Sequence, residues 1–486
     1  MKTFLTLSFA LALHSLTNAQ NIPDTLFAQA IRFACSACID ANDNLTVNAD
    51  TLTYLDASSR QISDLSGVVG FDNLQTLIAD YTAIDSLPAL PASLRKLSVL
   101  VSNLRNIDNV SNLPNLEYLD VSYAQLTALP TLPNTIQELR AYGNEISQIT
   151  NLPTQARFID ISYNRLTNLL PLGDSLTHLD ISYNQFDSLN IIGGDNLDSL
   201  LAFNNSLDYI DNLPNRLTYL DISENLFTTL PTLPLSLVEL KANYNLISGI
   251  NRLNQLWGLK NLELIQNQLS VLPNLPNSLE ILMVASNNLT TLPALSANLR
   301  YLNFGNNNVN QWPVFNDSIR MIAAYNNQFG YIDYLPPYLQ ELYIYDNPQL
   351  NCLPAIPDFL FSLLATNTNI TCLPNARPIQ VTLLQLPVCN STNNPNNCLI
   401  LNVNNTPAPT FTVSPNPFTN YLTVQNSELL DDNSQLYLYD NLGQLIVQKQ
   451  LNSNTETIDV ADLQPAVYYL MIKTAKGSYS QKIVKQ

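Results

Sequence analysis

Histidine is almost missing from this chain: its 486 residues contain two, His14 and His178. His14 falls in the leader described below, so a Ser-His-Asp or Cys-His arrangement would have to be assembled around His178 alone. Basic charge is scarce as well, with 21 Lys and Arg against 39 Asp and Glu and a net charge of −18. Nucleic acid and anionic membrane surfaces repel such a chain, and neither is expected as a partner. Charged residues of either sign make up only 12% while apolar residues make up 46%, which excludes disorder and permits a large core. No phosphate loop, zinc-helix motif or dinucleotide fingerprint is present, so no cofactor or metal is expected.

Long apolar runs are absent after the first nineteen residues. Those nineteen, MKTFLTLSFALALHSLTNA, place Lys2 ahead of a short apolar run and end on small residues, Thr17 and Ala19 among them. That is the layout of a secretory signal peptide, and the run is too short to span a bilayer. No transmembrane segment is expected once the leader is removed.

Six cysteines suit a protein that crosses an oxidising compartment. Cys35 and Cys38 form one CxxC, which is half of a zinc site and lacks the βαβ context of a redox motif. Cys352 and Cys372 each precede a Leu-Pro pair, and Cys389 and Cys398 flank an Asn- and Pro-rich loop. Three local, structural bridges are the simplest pairing among the fifteen possible. Nearby, DANDNL from Asp40 has the start of a calcium loop, but Leu45 stands where glycine is required and Thr51 where a bidentate Glu is needed. It reads as a polar turn.

What the chain has in abundance is self-similarity. A pattern L-x-x-L-x-h-x-x-N, where h is a smaller apolar residue, starts at Leu52, Leu74, Leu94, Leu116, Ile136, Ala156, Leu176 and Leu197. It continues from Leu217, Leu237, Leu259, Leu279, Leu299, Ile319, Leu339 and Leu360, a period of 20 to 22 residues. The ninth position is Asn in every unit from Asn144 to Asn347. Alternation within segments such as LDISY marks short strands, and one coil can bury its leucines only against the coils above and below. An inward Asn at the tight turn can satisfy backbone groups that stacking buries. Prolines in tails such as LPTLP at Leu129–Pro133 remove N–H donors, so the outer side should be extended rather than helical. On these residues the stretch 52–375 resembles the leucine-rich repeat family, in its short LPxLP-type bacterial form. The fold class expected is a repeat solenoid of the α/β class, mostly β, a horseshoe or arc of about sixteen coils.

Residues 20–51 carry a helical stretch, IPDTLFAQAIRFA, that suits an N-terminal cap. Residues 376–410 hold a C-terminal cap and a polar, Pro-rich linker. From 411 the pattern becomes short spaced strands, a small antiparallel β-sandwich. Within it SPNPF at Ser414–Phe418, LYLYDNLGQ at Leu436–Gln444 and KIVK at Lys482–Lys485 are similar to the C-terminal sorting domain (type A) of the type IX secretion system. That resemblance implies a Gram-negative bacterium, export to the cell surface or medium, and the secretion machinery as partner of residues 411–486.

The concave face of the solenoid is where a ligand is expected. Outward positions three, five, seven and eight of the units place Tyr118, Asp120, Tyr123, Tyr142, Phe158, Asp160, Tyr163, His178, Asp180, Tyr183, Phe203, Tyr219, Asp221 and Tyr244 there. Rigid rings interleaved with carboxylates suit recognition of another protein, the usual role of the repeat family. The same residues suit a glycan, the alternative, and tyrosine's preference for strands could fill such positions without any ligand. A hydrolase built on the aspartate ladder is a third reading. His178 sits where other units carry Tyr or Phe, so no catalytic residue is expected there. Later units are blander, with Ala285, Ser286, Gly305 and Asn306 at the same positions.

Overall fold

A computed structural model describes residues 20–375, 386–398, 411–426, 434–440, 444–451, 453–474 and 477–486. The leader expected over 1–19 and much of the linker expected over 376–410 lie outside them. Each expected unit begins its strand at its third residue, from Tyr54–Asp56 to Ser362–Leu364, giving a parallel β-solenoid of sixteen coils. The coils fall into two compact units, Met1–Leu226 with Pro231–Ser236 and Phe227–Leu230 with Leu237–Gln486.

The first unit holds nine of these strands. Register is position to position: Phe158, Ile159 and Asp160 pair with His178, Leu179 and Asp180. The central residue of each three-residue strand points inward, and Leu77, Leu119, Leu179 and Leu220 are fully buried. Burying one such side chain contributes about 1.5–3 kcal/mol, so the repeated leucine row supplies the continuous core. Helix Thr25–Ala34 sits at the head of this unit, capped by the Asp24 carboxylate on the amides of Leu26 and Phe27. Its buried face of Phe27, Ala28, Ala30 and Ile31 closes the first coil. Asp40 spends its carboxylate on its own loop, accepting from the amides of Asn42 and Asn44, as a polar turn does.

The asparagine column bonds as its position requires. In Asn225 the amide nitrogen donates to the carbonyls of Ala202, Ile222 and Ser223 at 2.9–3.1 Å, and the amide oxygen accepts from the Leu207 N–H at 2.9 Å. Asn164, Asn184, Asn287 and Asn307 repeat the set. One side chain therefore serves two coils and pairs backbone groups that stacking removes from water.

The outer side is extended in the short units, as proline predicts, with brief parallel pairs such as Ser188–Asn190 against Tyr209–Asp211. It departs from that expectation in the three 22-residue units. There the two extra residues form 3-10 turns, Val68–Gly70, Asp108–Asn112 and Leu253–Gln255.

The second unit holds seven solenoid strands, from Glu239–Lys241 onward, followed by two antiparallel sheets. Three strands (Phe411–Ser414, Tyr421–Asn426, Thr455–Asp459) face four (Gln435–Tyr439, Leu445–Gln450, Val467–Thr474, Gly477–Val484). Their shared core contains Leu422, Val424, Leu436, Leu438, Leu470 and Ile472. Lys485 is buried, its ammonium donating to the carbonyls of Thr419, Val460 and Ala461.

All six cysteines are bridged, and Cys35–Cys38 is local as expected. The other two pairings are a correction: Cys352 bonds Cys398 and Cys372 bonds Cys389. The loop after the last coil returns over the preceding coils, where the Asn396 amide donates to the carbonyls of Asn351 and Asn369. Each coil cysteine therefore meets the returning loop rather than its counterpart one coil away.

Candidate functional site

Thirteen of the fourteen expected surface residues lie in the first unit; Tyr244 lies in the second. The structure separates them into three rows with different causes.

Position three forms a row of side chains stacked along the solenoid. The Lys96 ammonium lies 4.3 Å from the Tyr118 ring centre. The Arg140 guanidinium covers Phe158 at 4.6 Å, and the opposite partner of Phe158 is His178, 4.6 Å away and nearly coplanar at 5°. Glu138 holds Arg140 through a 2.7 Å ion pair. Burial holds the His178 pKa below its ordinary value of 6.5. The imidazole is thus a neutral plate in a stack, as its ring-bearing position suggested. Burial, reinforced by the Asp120 charge, pushes the Tyr118 hydroxyl up to about 12.

Position five is the aspartate row, and most of its purpose is local. Asp120, Asp160, Asp180 and Asp221 each accept, through Oδ1, the backbone N–H of the serine two residues on, at 2.9–3.0 Å. This Asx-type turn closes the bend after the strand. Asp160 and Asp180 also take the serine hydroxyl at 2.6 Å. Burial raises the pKa of Asp120 and Asp180 despite these bonds.

Positions seven and eight carry the remaining rings: Tyr163 stacks on Tyr183 at 3.9 Å and 13°, and Tyr183 meets Phe203 edge-on at 5.3 Å. Tyr123 packs edge-on against Tyr142 at 4.9 Å. Hydrogen bonding to Tyr183 leads the causes that raise the Tyr163 pKa.

Position eight is also where every coil turns left-handed. All sixteen residues there, from Ser59 to Asn367, have φ between +48° and +69°. Asn, Asp, Ser or Gly occupy eight of these positions and tolerate the region best, Asn, Asp and Gly especially. Tyrosine occupies five: Tyr81, Tyr123, Tyr163, Tyr183 and Tyr244. Val101, Glu224 and Gln266 fill the rest. Gly143 is required twice over, by its own φ of +69° and because a Cβ there would meet the Tyr123 ring at 2.6 Å. Strand preference therefore does not account for these five tyrosines, since none of them lies in a strand.

Sequence reasoning passed over four members of these rows. Tyr81 has the same position-eight place as Tyr163, two coils before the coil of Tyr118. Lys96, Glu138 and Arg140 lie at positions three and five of their coils, and counting rings and aspartates alone left them out.

Residues 412–486 match a family described as the secretion system C-terminal sorting domain. Among solved structures the chain is similar to YopM from Yersinia enterocolitica WA-314, with a TM-score of 0.58 and 29% identity, covering 65% of this chain and 74% of that one. It is also similar to YopM of Yersinia pestis, described as a leucine-rich effector protein, with a TM-score of 0.53, 27% identity, and 75% and 94% of the two chains covered. No curated protein matches the sequence. The sorting domain indicates export, to the cell surface or beyond it. No helix among the described residues is long and apolar enough to cross a membrane. The chain thus joins sixteen coils, similar to those of leucine-rich repeat proteins, to a C-terminal stretch that matches the secretion sorting domain.

Proposed function

We propose that the protein is a binding protein without catalytic activity, displayed on or released from a Gram-negative cell, whose inner coil face in the first unit recognises another protein. The observation that carries this reading is the set of tyrosines at left-handed turn positions. Such a conformation costs an ordinary L-residue about 1–2 kcal/mol, and other coils relieve it with Asn or Gly. Tyrosine there needs a reason beyond folding, and a contact surface supplies one.

The stacking favours protein over glycan at this face. A sugar ring packs on an open aromatic face, but Phe158 is covered by Arg140 and His178, and Tyr163 and Tyr183 each close one face of the other. Edges and hydroxyls remain for a ligand, the geometry that meets backbone and side-chain groups of a polypeptide. A hydrolase is not supported, because the aspartates are engaged in turns and His178 is a half-buried stacking partner of Phe158.

The test is capture of partners from the organism's surroundings by the full mature chain, alongside its Tyr163→Asn/Tyr183→Asn variant. A protein retained by the parent and lost by the variant is the expected result. A partner held equally by both would remove the inner face from the mechanism.

A further inference from the structure

The second unit carries a groove that the aromatic rows do not explain. Trp257 lies two residues past the end of the Leu253–Gln255 3-10 turn and is 82% exposed. The other tryptophan, Trp312, is packed among Phe304, Phe315 and Phe329, with its indole N–H on the Tyr334 carbonyl. Among the described residues Trp257 has no ring partner, so its indole face is open. It borders a cleft of about 370 Å³ with Asn254, Pro276, Asn277 and Ser278. The carboxamides of Asn254 and Asn277 make no hydrogen bond within the described residues, leaving donors and acceptors free on both sides.

Ser278 also lines a second cleft, of about 310 Å³, that runs on to Lys260, Glu280, Asn298 and Arg300. Lys260 is neutralised by Glu280 at 3.1 Å. Arg300 is exposed and has no carboxylate partner among the described residues. Arg320 occupies the same position one coil on, bonded by its backbone N–H to the Arg300 carbonyl at 2.8 Å. Its guanidinium is held on the carbonyls of Asp317, Ser318 and Ile319 and over Tyr338, again with no carboxylate. Burial first and the Arg300 charge second lower the Arg320 pKa, with Tyr301 and Tyr338 acting the other way. In a chain with nearly twice as many acidic as basic residues, two adjacent unpaired guanidiniums are a local exception.

We propose that this groove binds an acidic oligosaccharide. The indole face of Trp257 takes one sugar ring, and the amides of Asn254 and Asn277 take its hydroxyls. Arg300, backed by Arg320, takes the carboxylate of a sugar unit further along. Two coil spacings, about 10 Å, separate the two ends, so at least a disaccharide is needed to engage both. Each component suits its group: an open aromatic face for the apolar side of a sugar, carboxamides for hydroxyls, and a planar guanidinium for a carboxylate. No residue of the first unit takes part, so this site stands or falls apart from the protein-binding reading above.

The experiment uses the full chain and titrates oligogalacturonate and hyaluronan oligosaccharides, with neutral maltohexaose for comparison, by calorimetry and tryptophan fluorescence. Binding of at least one acidic oligomer is expected, with a change in the emission of the exposed indole and no comparable binding of maltohexaose. Trp257→Ala and Arg300→Gln should each weaken it about tenfold or more. Retained binding by Tyr163→Asn/Tyr183→Asn is also expected. Failure to bind either acidic oligomer overturns the proposal, as does equal binding by the Trp257→Ala chain. Polyglutamate bound as tightly as the acidic sugars would replace the sugar assignment with an acidic polypeptide.

Discussion

If position-eight tyrosines sit in an unfavourable backbone region, replacing them with asparagine should be milder than replacing them with alanine. Both substitutions remove the ring, and both lose the Tyr163–Tyr183 stack and the Tyr123–Tyr142 contact. They differ at the backbone, where asparagine accepts φ near +50° and alanine does not. Relief is about 1 kcal/mol per site, at the lower end of the cost of a left-handed L-residue. A triple change at Tyr123, Tyr163 and Tyr183 should therefore leave the Asn variant about 3 kcal/mol more stable than the Ala variant, because backbone strain is local and sums across coils. These tyrosines lie within four successive coils, so the effect falls on one region of a repeat array. Urea unfolding followed by circular dichroism gives the comparison. With a slope of about 3 kcal/mol per molar, the two midpoints should differ by about 1 M. Tyr142 is the control, since it occupies position seven and lacks a positive φ. Its Asn and Ala variants should agree within about 0.5 kcal/mol. Coincident midpoints for the two triple variants would refute the claim that strain is held there, and with it the main support for a selected surface.

Two further outcomes follow from the same geometry. Asn225→Ala leaves three carbonyls and one N–H without the partner they share across two coils. It should cost about 2–4 kcal/mol in urea unfolding, and a loss below 1 kcal/mol would contradict the paired role of the column. The pH dependence has two parts of opposite sign. The folded-state pKa of His178 is lowered, so the unfolded chain binds more protons, and stability falls as pH drops from 6.5 toward that folded value. The folded-state pKa values of Asp120 and Asp180 are raised, so the folded chain binds more protons, and stability rises as pH drops through them toward 3.8. His178→Phe, compatible with the Phe158 stack, should flatten the first part, and Asp180→Asn should reduce the second. Unchanged profiles in thermal melts between pH 7.5 and 3.5 would show that these groups do not carry the linkage.

The sequence revealed whatever had to recur and concealed what happened once. Sixteen strands, their register and the inward Asn row were legible because each coil buries the same atoms in the same way. The Cys352–Cys398 and Cys372–Cys389 bridges were not, because they depend on the path of one loop that returns over the last coils. The 3-10 insertions were half visible, as two extra residues whose shape a period cannot specify.

The candidate surface shows the same division within a single motif, DISYN at 160–164 and 180–184. Its aspartates looked like free surface carboxylates, yet each closes a turn on the serine N–H two residues later. Its tyrosines looked like ordinary strand residues, yet they stand outside the strand at φ of +51°. The periodic pattern records which side of the coil a residue occupies but not its backbone conformation, so the demand on the aspartate and the strain on the tyrosine were both hidden. With the conformations known, the assignments separate. An aspartate whose oxygen is committed to the backbone recurs because the turn needs it. A tyrosine held where asparagine would be more comfortable recurs without any such need, and its recurrence in coils whose neighbours show that easier residues fit is the physical argument for a ligand at that row.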